Sequence, residues 1–267
     1  MKKLSLICVI LFIFMCSSAY CQEEDPCVKK EKWEFSFTPY VNANSIDADS
    51  TVAGQTVGVD IDFSDLMDDF DVWGAAAIFE GHKGRLGFFV NATYVDIEGD
   101  FNLRDPLIKK LDVDIEQAIV DGTLMYRLFE GPLRKGCYLR TTLDVMGGAR
   151  YVYLKQRITP KLANGTSTRL GTSKDWVEPI VGAKIAVRLT KKITAFAMGN
   201  VSGFGVGSAS DKTWDFTSGL DFRLFENASL RLAYRVYDID YSNGSGDSEF
   251  GLNGKMEGPW LGMTFYF

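Results

Sequence analysis

The sequence predicts an all-β fold: a closed antiparallel β-barrel that crosses a membrane on about ten strands, with eight and twelve as neighbouring counts. Three observations predict it. Apolar and polar residues alternate with period two almost without interruption from Trp33 to Phe267. Beyond the N-terminal leader, no stretch holds the roughly 18 apolar residues of a helical span. The connections between alternating segments switch between short turns and longer loops, as they do when strands run back and forth across a bilayer.

Composition narrows the field further. A chain of 267 residues with 46% hydrophobic content has enough apolar surface for a folded domain. A net charge of -6 and a pI near 5.0 argue against nucleic acid as a partner. One histidine, His82, leaves nothing for a histidine-rich metal site, and it sits in a short turn with no nucleophile marked beside it. No catalytic role and no cofactor is expected.

The N-terminus reads as a leader. Lys2 and Lys3 precede an apolar run over residues 4–15, and Ser17, Ser18 and Ala19 follow. This is the layout of a secretory signal peptide over 1–21, followed by a short tail over 22–32 and the barrel over 33–267. Cys21 as a lipidated residue is the rival reading, and bulky Tyr20 before it disfavours that. Removing the leader takes away two lysines and no acid, so the remainder is more acidic still. An oxidising compartment permits a Cys27–Cys137 disulfide, since both cysteines fall on the short-turn side.

The strands follow in order: 33–44, 70–80, 85–98, 112–129, 137–157, 174–189, 192–204, 211–225, 229–242 and 255–267. In the first, Trp33, Phe35, Phe37, Pro39 and Val41 face one way and Glu34, Ser36 and Thr38 the other. In the seventh, Ile193, Ala195 and Ala197 compete with Phe196 and Met198 for the outer face. The turns at 81–84, 130–136, 190–191 and 226–228 are the short ones. Segments 45–69, 99–111, 158–173 and 243–254 are the long ones, and 205–210 is an abbreviated member of that set. Trp33, Tyr94, Tyr126, Tyr151, Tyr153, Trp214 and Tyr241 lie near strand ends and suit interfacial aromatic girdles. In hydrocarbon every backbone polar group must be paired, and a closed sheet achieves this.

The face opposite the apolar one carries Glu34, Asp121, Arg127, Arg140, Asp144, Arg150, Glu178, Lys184, Arg188, Asp221, Arg223, Arg231 and Arg235. These are the candidate lumen-lining residues. They either line a solute path or form ion pairs that fill a narrow interior. Residues 55–69 fold inward as a plug or form an extra hairpin over the rim. Their Asp60, Asp62, Asp65, Asp68 and Asp69 form a candidate cation cluster, although the spacing does not fit an EF-hand loop.

Several local motifs resemble those of small Gram-negative outer-membrane β-barrel proteins, the porin-like and OmpA-like transmembrane barrels. They are Phe37-Thr38-Pro39-Tyr40, the segments 59–67 and 176–184, the glycine-rich 202–208, Tyr234-Arg235 and the terminal aromatic Phe267. The resemblance covers 33–267. It implies a bacterial outer-membrane location, a setting of outer-membrane lipid and lipopolysaccharide, and handling by the barrel-assembly machinery. The expected function is a narrow porin-like channel for small polar or ionic solutes. The alternative is a non-conducting structural or surface-interaction barrel.

Overall fold

A computed structural model describes residues 32–52, 55–61, 63–64, 70–102, 108–132, 139–162, 170–205, 210–243 and 250–267. The expected leader at 1–21 and most of the tail lie outside these residues. The strands are β1 (Glu34–Asn42), β2 (Ser45–Val52), β3 (Gln55–Ile61), β4 (Phe70–Lys83), β5 (Leu86–Asn102) and β6 (Ile108–Pro132). They continue as β7 (Arg140–Leu162), β8 (Leu170–Arg188), β9 (Ile193–Gly203), β10 (Lys212–Phe225), β11 (Ala228–Asn243) and β12 (Phe250–Tyr266). No helix among the described residues is long and apolar enough to cross a membrane.

Each strand from β4 to β12 pairs antiparallel with the next, and β1 closes the ring between β4 and β12. The barrel therefore has the ten strands expected of it. Closure brings the two ends of the sheet together: Phe35 donates its amide to the Phe267 carbonyl at 2.9 Å, and Phe267 returns the bond at 3.1 Å. Five aromatic rings cover this seam outside, with Phe35 stacked on Trp33, Phe79 and Phe267 and tilted against Phe88. The remaining two strands form a hairpin. β2 continues the line of β1 along the far half of β12, and β3 pairs with β2. The bend between β1 and β2 presses backbone on backbone: a Cβ on Gly258 would lie 2.0 Å from the Ala43 carbonyl oxygen.

The strands extend beyond the alternating segments on which the expectation rested. β6 has 25 residues and β7 has 23, against the roughly 9–11 that cross a bilayer's apolar core. Most of the extra length is at the long-loop end, although β4 and β6 also run on into the short turns, and at the long-loop end the amphipathic phase reverses. On β11, Leu232 and Tyr234 face outward, whereas Tyr237, Ile239 and Tyr241 are buried inside. On β6, Leu128, Leu124 and Val120 face outward, whereas Ile119 and Val113 are buried. Above the switch the outside carries charge: Lys155 pairs with Glu116 at 2.8 Å and Arg157 with Asp114 across adjacent strands. The lower barrel is thus apolar outside, and the upper barrel has an apolar core like that of a water-soluble sheet. Tyr241 accordingly belongs to that inner core and not to a girdle, stacked on Trp176 with ring centroids 4.2 Å apart. In β9 the competition between faces resolves with Phe196 and Met198 packed inside.

Candidate functional site in the barrel interior

Because side chains alternate along every strand, the inward set stacks in layers from the short-turn end to the long-loop end. The first is a vestibule of about 480 Å3, open at the short-turn end, whose walls include Glu34, His82, Arg127, Arg140, Thr142 and Arg188. Above it lies a polar floor. Lys184 on β8 reaches across to both oxygens of Glu80 on β4 at 2.6 Å. Arg127 pairs with Asp144 at 2.9 Å and with Glu130 at 3.0 Å, and Arg140 also engages Glu130. Arg231 pairs with Asp221 at 3.2 Å while its guanidinium lies over the Phe196 ring. Arg223 stacks over Tyr266 at 4.0 Å.

The next layer is apolar. Tyr40, Ile78, Phe89, Met125, Met146 and Trp260 are buried against one another across the barrel. The Tyr40 hydroxyl donates to Asn91 Oδ1 at 2.7 Å, so even this ring's polar tip is satisfied. A void of about 20 Å3 beside it has room for about one water molecule.

A buried ionic layer comes third. Arg150 and Glu178 are each 0% exposed. Arg150 forks onto Asp121, with Nε to Oδ1 at 2.6 Å and Nη2 to Oδ2 at 3.0 Å. Nη1 also donates to Ser202 Oγ and Nη2 to Asn200 Oδ1, both at 3.1 Å. Arg235 forks onto Asp215 in the same manner, at 3.0 and 2.6 Å, and Arg150 lies 3.7 Å from that carboxylate too. The two guanidiniums flank the Tyr237 ring, at 5.3 and 5.4 Å from its centroid. Glu178 is satisfied by neutral donors: Trp176 Nε1 at 3.1 Å, Ser202 Oγ at 2.6 Å and Ser210 Oγ at 2.5 Å. Through Ser210 it also anchors the short connection after β9, where Phe204 adopts a φ of 63°.

The fourth layer is apolar again. Ile119, Val152, Leu154, Trp176, Tyr237, Ile239, Tyr241 and Leu252 fill the upper barrel.

The interior thus gathers the candidate lumen residues into two ionic layers and one open vestibule. Glu34, Arg127, Arg140 and Arg188 line the vestibule, and Asp121, Arg150 and Glu178 lie deepest. Glu80 and Asp215 are partners that the sequence-based set lacked. Each lies in phase with inward neighbours, Asp215 with Asp221 and Glu80 with Ile78, and that phase was the available signal. Asp60 lies in β3 opposite Asp47. Asp62, Asp65, Asp68, Asp69, Cys27 and Cys137 lie outside the described residues. On the outer surface of the upper barrel, Asp96, Glu98 and Asp114 hold carboxylate oxygens within 4.8 Å of one another.

No protein-family model and no curated protein sequence matches this chain. Its fold is similar to solved bacterial surface barrels. Neisserial surface protein A shares 11% identity with a TM-score of 0.31, over 87% of this chain and 97% of that one. The outer membrane protease OmpT from Escherichia coli shares 7% identity with a TM-score of 0.44, over 90% and 98%. The toluene transporter TodX of P. putida shares 9% identity with a TM-score of 0.33, over 88% and 89%. A likeness this distant is one of barrel architecture, and no activity transfers with it.

Proposed function

We propose that this chain is an outer-membrane β-barrel of the non-conducting kind, a structural or surface-interaction protein. Its long strands raise a charged wall outside the cell. The observation that carries this reading is the filled interior: two apolar layers enclose an ionic layer whose central Arg150 and Glu178 have no exposed surface. A hydrated solute crossing it would have to displace both layers and the fork between Arg150 and Asp121.

The outer-membrane assignment rests on the outside of the lower barrel. Leu124, Leu128, Val177, Val181, Leu232 and Leu261 are exposed there, more apolar surface than a water-soluble sheet ordinarily presents. Trp73 packs edge-on to Tyr94 at the level where outer charge begins, as in an interfacial girdle. In this setting residues 1–21 act as the export signal and 22–32 as a periplasmic tail. The long-loop end faces outward among lipopolysaccharide, the barrel-assembly machinery inserts the chain, and no catalytic role is assigned.

The test is conductance of the refolded full chain in planar bilayers. Absence of reproducible steps is expected. Reproducible steps would overturn the closed barrel in favour of a narrow channel for small polar or ionic solutes.

A further inference from the structure

We propose that the vestibule is a binding site for a small ligand bearing an oxyanion, a carboxylate or a phosphate, held between Arg140 and Arg188. Ligand capture at this mouth is separate from conduction through the interior.

Three guanidiniums from consecutive strands share one wall: Arg127 on β6, Arg140 on β7 and Arg188 on β8. Arg127 is occupied by Asp144 and Glu130, and Arg140 shares Glu130. Arg188 has no carboxylate partner among the described residues. Arg140 and Arg188 are also directly opposite in the antiparallel register. Like charges in that relation on one face repel and destabilise the pairing. An anion between them would convert the repulsion into two charge-assisted hydrogen-bonding contacts. The planar guanidinium matches carboxylate and phosphate oxygens equally well.

The shape of the cup favours a small ligand. About 480 Å3 lies within the range of small-molecule sites. The Lys184–Glu80 pair and the Tyr40–Trp260 layer form its floor, so it is a blind recess. A recess walled by protein focuses the field of its charges more than a flat surface does. The threonine hydroxyls of Thr142 and Thr194 lie in the same lining, and Thr194 is the register partner of Arg188. Among the described residues, the carboxylate on the facing wall is Glu34, which belongs to β1, half-way round the barrel.

Isothermal titration calorimetry on the refolded full chain in detergent micelles tests this, with inorganic phosphate in one arm and citrate in the other at fixed ionic strength. Saturable one-site binding is expected in at least one arm. The stronger arm identifies phosphate or carboxylate as the source, and equal arms a general oxyanion site. Arg188→Gln is expected to weaken binding about tenfold or more. Arg157→Gln, on the outer surface at the opposite end, is expected to leave it unchanged. Arg188 is exposed, and heat-modifiable gel migration reports whether its variant is folded. No saturable binding in either arm, or binding by folded Arg188→Gln equal to that of the parent, overturns the proposal.

Discussion

Replacing Arg150 by methionine removes the centre of the buried ionic layer. The substitution retains much of the side chain's length but none of its donors. Asp121 loses hydrogen bonds at 2.6 and 3.0 Å, one to each carboxylate oxygen, and Ser202 and Asn200 lose bonds at 3.1 Å. Asp215 loses an ion at 3.7 Å but keeps its fork from Arg235. The dominant cost is therefore Asp121, a carboxylate left charged and unmatched where its side chain is almost fully enclosed. Stranding one member of a buried pair costs about 3–5 kcal/mol. Arg150→Met combined with Asp121→Leu removes both charges and restores the layer's original balance. Such paired replacements are typically neutral or stabilising, so the double variant should recover most of the loss. The assay is equilibrium urea unfolding in phospholipid vesicles, with free energies extrapolated linearly for the parent, both single variants and the double variant. The expected coupling between the two sites is about 3 kcal/mol or more. An Arg150→Met cost below about 1 kcal/mol, or strictly additive single effects, would refute the idea that an enclosed ion pair organises the interior.

Other consequences follow from the outer surface and the seal. Leu124 is 76% exposed in the middle of the apolar outer band, so Leu124→Arg should cost about 2–4 kcal/mol in a bilayer; a water-facing sheet would register less than about 0.5 kcal/mol in the same unfolding titration. Gly148→Ala would place a Cβ 2.0 Å from the Gly122 carbonyl oxygen and 2.8 Å from Thr123 Cα. Those are backbone atoms, so β6 and β7 must part, with an expected loss of about 1–3 kcal/mol. Gly122→Ala meets nothing within 4 Å and should change stability by less than about 0.5 kcal/mol; equal effects at the two glycines would contradict the described register. In planar bilayers, Trp176→Ala with Tyr241→Ala thins only the upper apolar layer and should remain silent. Adding Phe89→Ala and Trp260→Ala thins the lower layer as well and should produce conductance steps; steps from the first pair alone would show that one layer is the whole seal.

Much of the architecture was legible because a strand's side chains alternate by necessity. Once Val120, Leu124 and Leu128 are recognised as one face of β6, Asp121 and Arg127 must lie on the other. The same logic groups Arg150 with Asp144 and Glu178 with Lys184. Tyr241 shows where this reading broke down. Its position near a strand end suits a girdle, but the apolar phase of β11 switches between Tyr234 and Tyr237. Following one phase along each strand truncates β6 and β7 where the outside turns charged. The switch itself is written in the sequence, as Val113 and Ile115 fall in step with Ile119 and out of step with Val120.

Partnership inside the barrel was much less legible. Lys184 finds Glu80 from 104 residues away, four strands round the ring, and Arg150 approaches Asp215 from three strands away. Alternation assigns a residue to a face but does not state how far round the circle, or at what height, its partner stands. Those depend on strand register and closure, which only the three-dimensional sheet sets.

By itself, the sequence determined an antiparallel barrel of about ten strands and the side of the wall on which each charged residue falls. Period-two patterning, turn spacing and the lack of a helical span are local properties that survive without knowledge of contacts. The tertiary structure alone decided whether the inside is open. Ten strands make a ring narrow enough for Trp260, Tyr40 and Phe89 to pack in one layer, and for Arg150 to reach Asp121, Ser202 and Asn200 at once. Whether inward side chains line a path or close it depends on their reach across the ring, and reach is a property of the closed barrel.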